Sequence, residues 1–169
     1  MALPKKLKNF NLFNDGHSYL GEVEELTLPT LTRKMEEWRG GGMHGPIDTD
    51  HGIEKLSIEW TCGGYVAHAL KQFGAQRHDA VQLRFAGAIQ RDDTGEVQAL
   101  EVVIRGRHSE IDFGTAKPGD PTQVKFTSSV SYYKLSIDNE TIIEIDLLNM
   151  VEIINGVDLL ESVRRAIGL

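Results

Sequence analysis

Residues 32–62 read TRKMEEWRGGGMHGPIDTDHGIEKLSIEWTC, and this stretch decides the fold class. Its last part alternates strictly between apolar and polar residues, which is the period-two pattern of a half-buried β-strand. The apolar face carries Leu56, Ile58, Trp60 and Cys62, and the opposite face carries Lys55, Ser57, Glu59 and Thr61. The first part, residues 32–38, is also compatible with a strand. Because both of its faces carry charge, we expect it on a solvated or subunit-facing sheet rather than in a core.

The connection between these two segments, residues 39–52, contains five glycines and one proline. Such a composition predicts neither a helix nor a continuous strand. A loop of roughly a dozen residues without structure of its own is uncommon in a compact domain and is typical of a lid, a binding loop or an arm. We therefore predict a flexible arm at residues 39–52, carried by a β-rich body.

The remaining segments are mostly strand-like. Alternation over residues 81–90 and 97–108, with a tight turn between them, predicts a long hairpin. The longest strand is predicted at residues 123–138, and its apolar parity slips at Tyr132-Tyr133, which favours a β-bulge. Residues 141–146 complete a third hairpin, and Asn14-Asp15-Gly16 is the turn of a first one. Residues 1–13 are expected to be a basic and loose start.

Two short helices complete the prediction. Val66, Ala69, Leu70 and Phe73 have the spacing of one apolar helix stripe of about three turns. Asp158 and Glu161 resemble a capping box that starts a C-terminal helix. The predicted fold class is mostly β (α+β): an antiparallel β-sandwich or barrel of seven to eight strands in a single domain, residues 1–169. One packed helix and one short C-terminal helix accompany it.

Composition excludes several classes of function. The net charge of −7 argues against binding of nucleic acid through phosphate neutralisation. The single cysteine, Cys62, falls on an apolar strand face and is expected to be buried rather than reactive. The N-terminal stretch MALPKKLKNF lacks the apolar region of a signal peptide, and no apolar run approaches the roughly 18 residues that a membrane span needs. We expect no membrane insertion by this chain.

The sharpest candidate for a reactive site in the sequence is a cluster of histidines and aspartates in the arm. His44, Asp48, Asp50 and His51 could be drawn as a metal site, but their spacing matches no ligand pattern, and such residues commonly form turns. A small metal-dependent enzyme that uses residues 44–51 stays an alternative. No serine or carboxylate stands at a telling offset from the remaining histidines, so a hydrolase triad has no support. We predict a protein that is not an enzyme and has no cofactor.

The order of the segments resembles a known family. The stretch LTLPTLTRKMEEWRGGGMHGPI at 26–47, followed by GIEKLSIEW at 52–60, is similar to the major tail tube proteins of contractile-tailed phages. This is the FII family, which also supplies the tubes of R-type pyocins. The similarity continues through LRFAG at 83–87, QRDDTGE at 90–96, RGR at 105–107, EID at 110–112, YYKL at 132–135, EID at 144–146, NGVD at 155–158 and the C-terminal residues 165–169.

The resemblance implies a structural virion protein with a phage tail tube-like fold. Such proteins form hexameric rings that stack into the inner tube of a contractile tail, a conduit for DNA, or for ions in a headless particle. The implied partners are further copies of the chain, the sheath protein, and the tape measure, baseplate and tail terminator proteins, with duplex DNA only as passing cargo. The implied location is the virion tail, assembled in the cytoplasm of the bacterial host. A secretion-system tube protein is the alternative.

The resemblance also assigns candidate surfaces. The arm would contact a neighbouring subunit or ring through Arg39, Gly40, Gly41, Gly42, Met43, His44, Ile47, Asp48 and Asp50. A neutral or acidic lumen wall would let DNA slide, because a basic wall would bind the phosphates. The lumen-facing candidates are Lys34, Glu36, Lys55, Glu59, Lys125, Thr127, Ser129 and Ser131. The sheath-facing candidates are Arg164 and Arg165.

Overall fold

A computed structural model describes all residues of the chain, Met1–Leu169, and confirms the mostly β fold class. Twelve strands and two short helices follow in the order β1 (Lys6–Asn14), β2 (His17–Ser18), β3 (Val23–Thr27), β4 (Arg33–Trp38), β5 (Ile47–Ile53), β6 (Leu56–Cys62), α1 (Ala67–Leu70), β7 (Val81–Gln90), β8 (Val97–Asp112), β9 (Val124–Ile137), β10 (Glu140–Asp146), β11 (Val151–Ile154), β12 (Val157–Asp158) and α2 (Glu161–Ala166).

The body is a ten-stranded antiparallel sheet that branches at β9. One path runs β12-β11-β10-β9-β8-β7-β1-β2. β9 pairs with β8 along one edge, while its other edge pairs first with β6 and then with β10. β3 extends the branch by pairing with β6. The predicted hairpin of β7 and β8 is confirmed, and so is the third hairpin, β9 and β10.

The sheet curls around one aromatic stack at its centre. Trp60 on β6 lies between Phe126 on β9, at 4.3 Å between ring centroids, and Tyr19 after β2, at 5.6 Å. Since β2 ends the sheet path and β6 lies on the branch from β9, three strands away from β1, this contact shows that the sheet folds back on itself. The predicted apolar face of β6 is confirmed, because Leu56, Ile58, Trp60 and Cys62 are all buried.

The predicted parity slip in β9 is a β-bulge. Arg105 pairs with Tyr132 and Gly106 pairs with Val130, so Ser131 is the extra residue. Gly106 is required here, because a Cβ at this position would lie 1.9 Å from the carbonyl oxygen of Ser129. The bulge lets both halves of β9 present apolar residues to the same core.

Three local predictions were wrong. Residues 6–14 are not loose, because β1 pairs along its length with β7. The helix predicted from Val66 to Phe73 is only α1, because beyond Leu70 the backbone forms tighter turns, with the N–H of Phe73 bonded to the carbonyl of Leu70, and Phe73 stays exposed. The predicted capping box does not form at α2: the cap residue is Leu160, whose N–H donates to Asp158 Oδ1 at 3.1 Å.

Candidate assembly site

The arm is a β-hairpin that pairs with no strand of the body. β4 and β5 form their own two-stranded sheet, in which Trp38 opposes Ile47 and Met35 opposes Asp50. The prediction that residues 39–52 cannot contain a continuous strand was therefore wrong for residues 47–52. The prediction failed because most of the helix- and strand-breaking residues precede β5: four of the five glycines lie in the turn, and Pro46 stands directly before the strand.

The tip of the arm, residues 39–46, is an ordered turn. The N–H of Met43 donates to the carbonyl of Gly40 at 3.2 Å, and Gly42 adopts a φ of +82°, which favours glycine. The indole of Trp38 lies over Gly40, where even a methyl group would overlap the ring. The run of glycines thus permits a compact turn against Trp38.

The arm exposes apolar side chains that its own chain does not cover. Met35 is 50% exposed, Trp38 54% and Ile47 53%. A two-stranded hairpin alone in water is marginally stable. Trp38 and Ile47 form a cross-strand pair on one face of the hairpin, and Met35 lies on the opposite face. Both faces of the arm therefore carry apolar side chains that the chain itself leaves uncovered.

One arginine joins the base of the arm to the body. The Arg33 guanidinium contacts Asp50 on β5 at 2.8 Å and also forms an ion pair with the buried Glu152 on β11. The hydrogen bond that Arg33 donates to Asp50 raises the pKa of Arg33. The backbone N–H of Gly52, followed by Arg33, lowers the pKa of Asp50. This cluster fixes the place where the arm leaves the body.

The same cluster bears on the metal-site alternative. Asp50 is held by Arg33, and His51 lies 3.6 Å from Glu36 on the neighbouring strand. No group of three or more His, Cys, Asp or Glu side chains in the chain is placed to hold a metal ion. The structure therefore lends that alternative no support.

A cleft of about 470 Å³ opens beside the base of the arm. Its walls come from β5, from the β10–β11 turn and from the residue that precedes α2. The lining residues are Arg33, Asp50, Gly52, Ile53, Ile145, Asp146, Leu147, Met150, Val151, Glu152 and Leu160.

Several lumen candidates lie together on the outer face of β6 and β9. Glu59 opposes Thr127, and its carboxylate lies 3.1 Å from the Lys125 ammonium. Ser129 opposes Ser57 one step along. The other four candidates are placed differently: Lys55 borders a groove with Glu59, Lys34 and Glu36 lie on the arm, and Ser131 is at the bulge with its hydroxyl bonded to the Arg105 carbonyl.

Two acidic members of this face were not singled out from the sequence. Glu110 opposes Thr127, and Asp112 opposes Lys125, because β8 continues beyond its predicted end at His108. The hydrogen bond that Lys125 donates to Glu59 is the main cause that raises the pKa of Lys125, and the charges of Glu59, Glu110 and Asp112 add to it. The alternating spacing of residues 110 and 112 was the available signal. We call this acidic and polar surface, shared by β6, β8 and β9, the polar face.

The two C-terminal arginines have different surroundings. Arg164 pairs with Asp158 at 2.5 Å and donates to the carbonyl of Met150 at 2.6 Å, so it attaches α2 to the body. Arg165 is exposed and pairs only with Glu161, at 3.0 Å. α2 buries none of its residues. Of these two arginines, Arg165 therefore has the more solvent-exposed guanidinium.

Comparison with solved structures defines the class of fold. The chain shares the fold of proteins from contractile injection systems. A chain of the sheath–tube complex of the extracellular contractile injection system PVC, in its extended state, superposes with a TM-score of 0.59, covering 79% of this chain and 91% of that one at 8% identity. A chain of the anti-feeding prophage cap gives a TM-score of 0.59, covering 80% and 93% at 8% identity.

Sequence comparison then identifies the family. The family described as phage tail tube protein FII matches residues 4–168. The tail tube protein of Escherichia phage P2 is 48% identical over the full length of both chains, and the major tail tube protein of Serratia phage KSP20 is 40% identical over 100% of this chain and 99% of its own. This chain belongs to the phage tail tube protein FII family. It is a structural protein of the virion tail, which confirms the resemblance seen in the sequence. No helix of the structure is long and apolar enough to cross a membrane.

Proposed function

We propose that the chain assembles with copies of itself into hexameric rings, and that these rings stack into the inner tube of a contractile tail. A ring needs a head-to-tail contact that closes on rotation, and stacking needs a second contact along the axis. The role is structural and involves no catalysis by this chain. The tube conducts DNA, or ions where the particle has no head.

The observation that carries this proposal is the arm. A hairpin of residues 33–53 leaves the body, pairs with no strand outside itself and exposes Met35, Trp38 and Ile47. Such an element gains stability only when another surface covers it. A second copy of the same chain is the partner that a tube supplies at every position.

The polar face suits a lumen wall. Within the paired strands its three carboxylates, Glu59, Glu110 and Asp112, outnumber its two basic side chains, Lys125 and Arg107, of which Arg107 opposes Ser129. An excess of negative charge repels the phosphates of duplex DNA, so that the DNA slides without being bound. Serine and threonine hydroxyls keep the rest of this surface hydrated.

The outer surface of the tube would face the sheath, with Arg165 on α2 as a contact. Tape measure, baseplate and tail terminator proteins would meet the tube inside it and at its ends. The relatives with similar folds come from a sheath–tube complex, a tube terminator complex and a baseplate. Their similarity to this chain lies in the fold alone, so the partners of this chain stay a proposal.

The neighbouring genes distinguish a phage tail tube from the alternative, a secretion-system tube. Sheath, tape measure and baseplate genes support the phage tail, whereas genes for an ATPase and a membrane complex would support a secretion tube.

Negative-stain electron microscopy of the purified protein at high concentration tests assembly itself. We expect rings or tubes with a central hole. Uniform small particles, both alone and after addition of purified baseplates as initiators, would refute self-assembly.

A further inference from the structure

We propose that the tip of the arm of one copy docks into the cleft at the base of the arm of a second copy, with Trp38 as the apolar anchor and Arg39 as the charged one. This inference rests on the proposed self-assembly and adds the pair of surfaces that makes the contact.

The cleft is a preformed receptor. The Asp146 carboxylate accepts hydrogen bonds from the N–H groups of Leu148 and Asn149, both at 3.2 Å, and so holds the β10–β11 turn. Arg164 holds the Met150 carbonyl at 2.6 Å from the other side. Six of the eleven lining residues are hydrophobic. A rigid cleft loses little conformational entropy on binding, which favours affinity.

Trp38, the last residue of β4 before the tip, is a suitable anchor. Trp38 is 54% exposed, opposes the exposed Ile47, and has its indole held over Gly40. Tryptophan and arginine are the side chains most often found as energetic anchors in protein interfaces. The cleft volume of about 470 Å³ lies within the range of about 300–1,000 Å³ that pockets for small ligands have, so it can take an indole ring.

The charges of the two surfaces are complementary. Between residues 39 and 46 the only titratable side chains are Arg39 and His44, so the tip itself carries no negative charge. Of the carboxylates beside Trp38, Glu37 and Asp48 oppose each other on the other face of the hairpin, and Glu36, on the same face as Trp38, lies 3.9 Å from the Lys34 ammonium. The cleft holds three carboxylates, Asp50, Asp146 and Glu152, against the single guanidinium of Arg33. Complementary charge favours encounter and fixes the orientation of docking.

The occupant must be a second copy rather than the same chain. Arg33, in the cleft wall, and Trp38 lie at opposite ends of β4, and five residues of extended strand separate them by roughly 16 Å. The hairpin is held straight by its own cross-strand hydrogen bonds and cannot fold its tip onto its base. A contact between different patches on two identical chains is head-to-tail, which is the kind that closes into a ring.

Photo-crosslinking in assembled particles tests the contact. Position 38 of an isotopically light chain is replaced by p-benzoylphenylalanine, and this chain is co-assembled with an excess of heavy wild-type chain. After irradiation, mass spectrometry should join position 38 of the light chain to a heavy peptide within residues 145–160. A second variant with the photoreactive group at Leu147 should reach residues 38–47. Phe73, exposed and outside both surfaces, is the control position and should reach neither segment.

Charge variants provide an independent measurement. Arg39→Glu should slow ring formation at least tenfold, Arg39→Lys should retain it, and Arg77→Glu, a reversal of an exposed arginine outside both surfaces, should leave it unchanged. Assembled particles in which neither photoreactive position links the two segments would overturn this inference and leave the proposed function standing. A wild-type chain that forms no rings or tubes would overturn both.

Discussion

Arg33 and Glu152 form an ion pair across 119 residues of sequence, between the first strand of the arm and the body strand β11. Glu152 is buried, and Arg33 reaches it from the partly exposed base of the arm. The arm has no other ion pair with the body. Together with the backbone at its two ends, this pair sets the angle at which the hairpin projects.

Removing the charge of Glu152 should loosen the arm. We expect Glu152→Gln to lower the free energy of unfolding by about 1–2 kcal/mol, because Arg33 keeps Asp50 and water as partners but loses its buried carboxylate. Amide hydrogen exchange in residues 33–53 should speed up more than exchange in β7–β9. The control is Glu161→Gln, which removes an exposed pair with Arg165 and should change stability by less than about 0.5 kcal/mol. Equal exchange in both variants would contradict this role of the pair.

Particular residues explain how far the sequence predicted the molecule. The strict alternation of residues 55–62 identified β6 and its buried face, because side-chain period decides which face of a strand is buried. β5 was not predicted because its central residues, 48–51, are all polar, so the segment shows no alternation of apolar and polar residues. A strand that is solvated on both faces leaves no hydrophobic signal. The pairing of Arg33 with Glu152 depends on tertiary placement, and no local spacing in the chain encodes it.

The candidate surfaces were predicted with similar limits. Glu59, Lys125, Thr127 and Ser129 lie on one surface because polar positions of two adjacent strands share a face. Arg164 was assigned outward because the sequence does not reveal its partners, Asp158 and the Met150 carbonyl. Whether the polar face lines a lumen stays a prediction.

Gly106 should be intolerant of any side chain. An alanine Cβ would overlap the Ser129 carbonyl, and neither backbone can move without breaking the β8–β9 ladder. We expect Gly106→Ala to lower the free energy of unfolding by about 3 kcal/mol, measured by urea denaturation. Gly45→Ala is the matched control, because nothing lies within 4 Å of that position and its φ is not positive. A Gly106 variant as stable as the control would contradict the close approach at the bulge.

Stability should fall in mild acid because of His108. This side chain is 5% exposed, and burial lowers its pKa to about 4. Its ring nitrogens lie 2.8 Å from Ser128 Oγ and 3.2 Å from Gln72 Oε1. Between pH 6.5 and about 4 the unfolded chain binds a proton that the folded chain excludes, so the unfolding free energy decreases as pH falls through this window.

The loss of unfolding free energy is of the order of 3 kcal/mol at most, because the pKa of His108 falls from its ordinary value of 6.5 to about 4. His108→Gln can keep both hydrogen bonds but cannot be protonated. The difference in unfolding free energy between wild type and this variant, measured by urea titration from pH 7 to pH 4, should change with pH. His44→Gln, at an exposed position of the arm tip, should follow the wild-type pH profile. A His108 variant with the same profile as wild type would show that His108 does not cause the dependence.

Charge reversal on the polar face tests the lumen assignment. Glu59→Lys places a second positive charge beside Lys125 at an exposed site, so the fold should be unaffected. If the face lines the lumen, the added charge should bind phosphates and slow DNA delivery, measured as a drop in infectivity of particles with normal morphology. Glu140→Lys, at an exposed position at the start of β10, is the matched control and should leave delivery unchanged. Normal infectivity of the Glu59 variant would place that residue elsewhere.

Deleting residues 41–50 should separate folding from assembly. None of the 17 buried apolar residues of the core lies in this segment, and the ion pair of Arg33 with Glu152 is retained. The thermal midpoint of the monomer should therefore stay within a few degrees of wild type, as a loss well below 1 kcal/mol would allow. The remaining residues cannot form the hairpin, so the deleted chain should form neither rings nor stacked tubes under electron microscopy. Trp38→Ala, which keeps the backbone of the hairpin, should also assemble poorly, whereas Phe73→Ala, at 57% exposure outside the arm, should assemble normally. Long tubes from the deletion variant would refute the role of the arm, because an element that assembly does not need has no reason to expose Trp38 and Ile47 to water.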